Sequence, residues 1–287
     1  MRLFLIRHGE TEHNVAGLLA GVTDSRLTNH GVLQAEKLAS HLLTKRKLQF
    51  TQVFTSDLQR AFRTGNAITN AQNEVMSDNK LETTSLSLLR EQDFGSFELL
   101  PWTRSQEARE SDPKNTDPNF KPKETHAQMK TRADTFLDDF LHPLCALDQE
   151  SEQIVAVVSH GLFLAALWRA LLLRFKTNTV SLKPEVVLPG GSKPIEYIPA
   201  WTNTGFLELV ITSTSPSRTT SASPSDGISV TGIVVALDAT MQICAVNSRD
   251  HLLNLKRTRG GVGSSASDDK QKKLENFFKK PKPSSTR

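Results

Sequence analysis

Leu3-Phe4-Leu5-Ile6-Arg7-His8-Gly9-Glu10-Thr11 stands at the start of the chain. Four apolar residues run without a polar break into a guanidinium, an imidazole and a glycine. A short all-apolar run of this kind fits a strand covered on both faces, as in a parallel sheet. Ligands of open α/β sheets collect beyond the carboxyl ends of the strands. Arg7 and His8 therefore stand where chemistry on an anion would be placed. On these residues alone, a core strand with a stray Arg-His at its edge is an equal reading.

The rest of the chain repeats the pattern. Ile154-Val155-Ala156-Val157-Val158-Ser159-His160-Gly161 is a second apolar run that ends in His-Gly, and an apolar helix over Leu162 to Leu173 follows it. Gln52 to Ser56 and Leu81 to Leu89 read as further strands. Between them, Val32, Ala35, Leu38, Ala39, Leu42 and Leu43 recur at helical spacing behind Thr28, a good N-cap. A helix opening near Asp57 carries Leu58, Ala61, Phe62 and Ala67 on its apolar side. Met129 to Leu141 forms an amphipathic helix that Pro143 is expected to close. Later, Phe206 to Ile211 is a strand, and Gly232 to Leu237 with Gln242 to Val246 reads as a hairpin. Strands alternating with helices predict an α/β fold, a three-layer α/β/α sandwich with a mainly parallel central sheet.

Composition sets the outer bounds. At 287 residues with 37% hydrophobic content, the chain can bury one large core or two modest ones. Cys145 and Cys244 lack metal-site or redox-motif spacing, so both are expected as buried thiols in a reducing compartment. The apolar run after Arg2 is too short for a secretory signal, and Arg169 interrupts the one other long apolar stretch. The sequence reads as a soluble protein of the cytoplasm or nucleus, with no membrane partner. From Lys256 onward there are 10 Lys/Arg and 3 Asp/Glu, net +7; the preceding 255 residues carry 25 and 28, net −3. The basic character belongs to the tail, so direct nucleic-acid binding by the main domain is not expected.

The expected organisation is one domain over residues 1–259 and a disordered basic tail over 260–287. Within the domain, a polar, Pro-containing lid is expected at about 100–125 and a Ser/Thr-rich flexible insertion at about 212–227.

Two histidines that end two buried strands raise the odds of chemistry above those of a lone core histidine. Leu5-Ile6-Arg7-His8-Gly9-Glu10-Thr11 followed by Asn14 resembles the signature of the histidine phosphatase superfamily, in its phosphoglycerate mutase-like branch. Further blocks resemble the family in its own order: Gly21 to Thr28, Thr55-Ser56-Asp57-Leu58-Gln59-Arg60-Ala61, Leu89 to Gly95 with Glu98, Ser159-His160-Gly161, Asn203-Thr204-Gly205 and His251-Leu252. The resemblance implies that His8 is the nucleophile through a phosphohistidine and that Glu91 is the general acid and base. Arg7, Arg60 and His160 would neutralise the phosphoryl oxygens, and Asn14, Gly21 and Thr204 would add phosphate contacts. A cationic pocket is what phosphoryl transfer to a neutral imidazole requires. No metal or other cofactor is expected. An Arg-Arg pair and a further basic motif, typical of mutases after the acid block, are missing here. Hydrolysis of a phosphorylated small molecule or phosphopeptide is therefore favoured over mutase transfer.

The tail carries a second motif. In Gln271-Lys272-Lys273-Leu274-Glu275-Asn276-Phe277-Phe278, three apolar groups share one face of a helical turn, at i, i+3 and i+4. With Gln271 ahead of Leu274, Phe277 and Phe278, the peptide resembles those that bind the DNA sliding clamp, PCNA. Docking of the same face on the chain's own domain is the competing reading. Two further alternatives stand beside the phosphatase: a cytosolic phosphoglycerate mutase-type phosphotransferase, and a non-catalytic clamp-binding protein built on a phosphatase fold.

Overall fold

The computed structural model describes residues 1–76, 80–102, 118–146, 152–186, 188, 194–197, 201–213, 237–256 and 261–267. Seven strands form one sheet: β1 (Arg2–Arg7), β2 (Gln52–Ser56), β3 (Thr83–Leu86), β4 (Ile154–Ser159), β5 (Val180–Leu182), β6 (Phe206–Ser213) and β7 (Ala239–Ser248), in the spatial order β3-β2-β4-β1-β6-β7-β5. The first four strands are mutually parallel, and β6 runs antiparallel to both β1 and β7.

The opening run folds as its composition requires. Leu3, Phe4, Leu5 and Ile6 are buried in β1. Successive side chains of a strand point to opposite faces. Leu3 and Leu5 join Val155, Val157, Leu207 and Leu209 on one face, under α4 (His126–Phe136) and α6 (Gly161–Leu172), where Phe136, Phe163 and Trp168 close the layer. Phe4 and Ile6 join Ala156 and Val158 on the other face, under Leu38 of α2 (Asn29–Ser40) and Ala61 and Ile68 of α3 (Gln59–Val75). Each such Leu or Phe contributes about 1.5–3 kcal/mol by leaving water. The α/β three-layer architecture follows from this two-sided burial.

Strand register decides where the functional groups meet. Arg7 pairs with Ser159, so β1 and β4 end level and His8 and His160 leave the sheet side by side. Ser56 pairs with Leu86, and Thr55 with Val158, which brings the segments after β2 and β3 to the same edge. The loop after β1 can press onto the start of α2 because Gly9 and Gly31 are bare. A Cβ on Gly31 would lie 2.0 Å from the Glu10 carbonyl oxygen. Thr28 caps α2 as its type predicts, accepting from the Gly31 N–H at 3.0 Å and donating to Glu10 Oε1 at 2.9 Å.

Several elements depart from expectation. β3 stops at Leu86, and Ser87–Leu89 make a 3-10 turn that carries Leu89 inward, where its carbonyl accepts from the Ser159 hydroxyl. Pro143 does not close the helical stretch. α4 passes through a π-turn over Leu137–Leu141 into a further helix, α5 (His142–Ala146). Pro143 lies in the first turn of that segment, where its missing N–H costs no intrahelical bond. The expected late hairpin is re-paired: β7 pairs with β6, residues 214–236 lie outside the described residues, and Thr212 and Ser213 belong to β6 rather than to an insertion. β5 was not expected. The two thiols are half-buried rather than buried: Cys145 lies at the end of a short helix and Cys244 on β7. Burial pushes the Cys145 thiol up to about 11.

The domain boundary at 259 falls short of the last segment that pairs with the body. Gly261–Ser264 form a 3-10 turn, Asn29 N–H donates to the Ser265 carbonyl, and Ser267 N–H donates to the Leu27 carbonyl at 2.8 Å. These are backbone bonds, which a Gly/Ser composition does not announce. Most of the expected lid (103–117) and the peptide 271–278 lie outside the described residues. No described helix is long and apolar enough to cross a membrane.

Candidate active site

Arg7, His8, Arg60, Glu91 and His160 converge at the shared carboxyl edge of β1, β2 and β4. His8 is 3% exposed and His160 fully buried, with ring centroids 5.0 Å apart. The two rings are held in opposite tautomers. His8 Nδ1 lies 2.7 Å from the Gly9 carbonyl oxygen, which can only accept, so Nδ1 carries the proton and Nε2 keeps a lone pair. Arg60 Nε donates to His160 Nδ1 at 3.1 Å, so the His160 proton sits on Nε2, which has no partner among the described residues. One ring thus presents an acceptor and the other a donor.

Both rings are kept neutral. Burial, then the Arg60 and Arg7 charges, hold His8 well below the ordinary histidine value. Burial, then Arg60, His8, Arg7 and Arg132, do the same for His160. Burial also lowers Arg7 and Arg60, with the Glu91 carboxylate opposing it in each case.

The two arginines differ in what their donors already do. Arg60 is 2% exposed and gives Nη1 to the Thr23 carbonyl at 2.9 Å and Nη2 to the Gly21 carbonyl at 2.6 Å. Counting the His160 bond, three of its N–H groups are engaged by protein. Arg7 gives Nη1 to the Trp201 carbonyl at 2.5 Å, while its buried Nε has no partner among the described residues. Arg7 Nε and His160 Nε2 are thus buried donors without acceptors among the described residues, and an anion supplies acceptors of that kind. Arg7 and Glu91 flank the start of α6: a Cβ on Gly161 would stand 3.8 Å from Arg7 Nε and 4.0 Å from Glu91 Oε2.

Glu91 is positioned by backbone. Its carboxylate accepts from the Gln92, Leu162 and Phe163 N–H groups at 3.0, 3.2 and 2.9 Å, the last two at the N-terminus of α6. Behind it, Arg132 of α4 donates to the Leu88, Arg90 and Glu91 carbonyls, pairs with Glu124 at 2.7 Å, and lies over the Phe163 ring. Sequence reading missed Arg132, because on a helix it reads as one more solvated polar position.

The expected phosphate contacts are gathered near the histidines, with different freedom. Gly21 (φ +48°) turns the chain so that its carbonyl meets Arg60, and a Cβ there would stand 1.7 Å from Glu98 Oε1. Glu98 holds the same turn by accepting from the Val22, Thr23 and Phe94 N–H groups. Asn14 Oδ1 accepts from Thr11 N–H and from Asn203 Nδ2, which also donates to the His8 carbonyl. Thr204 (φ +54°) is committed to protein: its N–H donates to the Arg7 and His8 carbonyls, and its hydroxyl bonds the Asn203 carbonyl and His251 Nε2. Among the described residues no group of three His, Cys, Asp or Glu is placed to hold a metal ion. Gln271, Leu274, Phe277 and Phe278 lie outside the described residues.

Comparison with known proteins adds the following. The family model described as "Histidine phosphatase superfamily (branch 1)" matches residues 3–182. A probable phosphatase of Schizosaccharomyces pombe is 32% identical over 279 residues, covering 96% of this chain and 79% of that protein. A probable phosphoglycerate mutase of Proteus mirabilis is 30% identical over 169 residues, covering 58% of this chain and 73% of that protein. In fold, the chain is similar to a mycobacterial glucosyl-3-phosphoglycerate phosphatase solved with VO3, with a TM-score of 0.52 and 23% identity over 73% of this chain and 92% of that one.

Proposed function

Because the chain belongs to the histidine phosphatase superfamily, branch 1, and is a histidine-type phosphatase, we propose that it hydrolyses phosphomonoesters through a phosphohistidine on His8. The observation that carries this reading is the polarity of the His8 ring. Nδ1–H is tied to Gly9, and the Nε2 lone pair lies in the field of Arg7 and Arg60.

The first step joins Nε2 to phosphorus and breaks the ester P–O bond. The alkoxide leaves with a proton from the Glu91 carboxyl. In the second step Glu91, now a carboxylate, takes a proton from water. The hydroxide oxygen attacks phosphorus, the P–N bond breaks, and phosphate leaves with His8 neutral again. Arg7, His160 and Arg60 stabilise the equatorial oxygens, so the charge a metal would otherwise supply comes from side chains. Thr204, committed to protein, holds the back of His8 and is a positioning residue in this reading. Asn14 Nδ2 and the Gly21 turn remain for the substrate.

Turnover of p-nitrophenyl phosphate by wild type and His8→Ala tests the proposal. A fall of about 10³-fold or more is expected, with an acid-labile, alkali-stable phosphoenzyme in wild type alone. Equal turnover in the two proteins refutes it. The relative named as a probable mutase favours a second reading, phosphoryl transfer between hydroxyls of one small molecule. It requires release of a rearranged phosphomonoester rather than inorganic phosphate.

For the tail, we infer that Gln271, Leu274, Phe277 and Phe278 engage a DNA sliding clamp, which would recruit the enzyme to the nucleus. Sequence spacing supports this. Calorimetry of a 268–287 peptide against PCNA decides it, and no heat at peptide concentrations well above micromolar removes the inference.

A further inference from the structure

On the face of the sheet opposite α4 and α6, α2 and α3 leave a groove of about 840 Å³ lined by apolar and polar side chains. Buried Ala35 and Ala39 of α2 lie at its floor and half-buried Ala67 and Ala71 of α3 line its side, with Val32 and Leu43 along one wall and Val75 and Met76 at one end. Small side chains on facing helices leave room between the ridges for larger groups from elsewhere. Val75 is 82% exposed, an uncommon position for a Val that ends an apolar helix face. Rim charges are mixed (Glu36, Glu74, Lys47 and Arg63), so charge does not select an occupant.

The exit of the chain does select one. Leu27 lines the groove, and the last described residue, Ser267, is hydrogen-bonded to the Leu27 carbonyl. The chain beyond Ser267 therefore starts beside a residue that lines the groove. Leu274 is the seventh residue after Ser267, a reach of at most about 25 Å. From Leu27 to Leu43 the groove wall runs about 24 Å at the helical rise. Leu274, Phe277 and Phe278 share one face at i, i+3 and i+4, the spacing that fits an apolar helix-lined groove.

We propose that the α2–α3 groove is the intramolecular seat of the chain's own residues 271–278, with Leu274, Phe277 and Phe278 as the anchoring side chains. The leash makes the binding a unimolecular event, so modest contacts suffice. Seat and clamp would use the same three side chains. A partner must therefore displace the tail from the body, and clamp binding by the full chain must be weaker than clamp binding by the isolated peptide. The seat does not depend on the reaction at His8.

Amide hydrogen exchange of the full chain, followed by mass spectrometry, tests the seat. In wild type, amides of 271–278 are expected to exchange at least about tenfold more slowly than an unstructured peptide. That protection is expected to vanish in the triple variant Leu274→Ala/Phe277→Ala/Phe278→Ala and in Val75→Glu. Val75→Glu changes an exposed side chain of the groove and leaves the core intact, and wild-type turnover of p-nitrophenyl phosphate reports its fold. Unstructured exchange of 271–278 in wild type overturns the proposal. So does protection that survives Val75→Glu. Protection that rises with protein concentration would assign the groove to the tail of a second copy, and protection seen only with added clamp would leave the groove without the tail; both overturn it.

Discussion

His8 and His160 end two neighbouring parallel strands in level register, are buried to the same degree, and feel the same two arginines. Their hydrogen bonds nevertheless give them opposite faces. The Gly9 carbonyl makes the first ring an acceptor at Nε2, and the Arg60 guanidinium makes the second a donor there. Position in a fold therefore does not set the chemistry of a histidine; the partner of its other nitrogen does. A carbonyl at Gly9 leaves one ring with an open acceptor, and a cation from α3 leaves the other with an open donor; in the proposed reaction these become nucleophile and electrophilic donor.

The strongest way to break this comparison is to remove each ring in turn. His8→Ala should abolish both turnover and phosphoenzyme, as argued above. His160→Ala should slow turnover by about 10²–10³-fold, the size of losing one preorganised donor. It should still form phosphoenzyme from substrate when a single turnover is quenched in alkali. If the His160 variant never becomes phosphorylated while remaining folded by circular dichroism, the division of labour between the rings is wrong.

Arg132 is next in size. It braces the carbonyls of residues 88, 90 and 91 and pairs with Glu124, but touches neither ring. Arg132→Ala should cost about 2–4 kcal/mol in urea unfolding, because it strips several acceptors and leaves Glu124 partly buried without its cation. Turnover should fall about tenfold through displacement of Glu91, with formation and hydrolysis of the phosphoenzyme both slowed. Arg132→Lys, which cannot fork across three carbonyls, should recover little.

A pH titration of stability sharpens the comparison without mutation. His8 and His160 are both held well below the unfolded histidine value, and burial and His41 lower His251 to about 4 against the opposing Asp250 charge. The unfolded chain near pH 6.5 takes up protons that the folded chain refuses. Their stability contribution is thus fully present above about pH 6.5 and lost as pH falls below it, at up to about 1.4 kcal/mol per pH unit for each histidine. For His251 the window closes near pH 4. Urea midpoints measured from pH 7.5 to 5 should decline with falling pH, and His251→Phe should decline less steeply. A flat profile would mean that all three rings take up protons in the folded state as readily as in the unfolded chain.

The legible part of the molecule is the part where side chains report their surroundings. Leu3–Ile6 and Val155–Val158 declare two-sided burial, and Thr28 declares its cap. Backbone-directed features gave no such signal. β5 is three residues with no alternation to detect, Leu89 turns inward to meet a serine from a distant strand, and 261–267 attach through main-chain bonds alone. At the site, His8, Arg7, Arg60, Glu91 and His160 were readable as a family pattern. Arg132 was hidden because its partners are carbonyls, which every sequence has. Thr204 was readable by family but not in its bonding, which only the fold decides.

Thr204 gives the smallest and most discriminating test, since its N–H grips the His8 carbonyl from another strand's approach, whereas the His160 carbonyl accepts from Leu164 N–H within its own helix start. Its φ of +54° is a left-handed conformation that costs a β-branched residue about 1 kcal/mol and glycine almost nothing. Its hydroxyl bond to His251 is worth about the same. Thr204→Gly should therefore leave stability within about 1 kcal/mol of wild type, the relief of strain offsetting the lost bond. Thr204→Ala, with neither hydroxyl nor relief, should be about 1 kcal/mol less stable than wild type. Both variants keep the backbone N–H that donates to the His8 carbonyl, so if that bond is what holds His8, both should keep turnover within about twofold of wild type with little change in KM, despite their different stabilities. Turnover that follows stability instead would make Thr204 a structural residue, and would leave the Gly9 contact as what distinguishes His8 from His160.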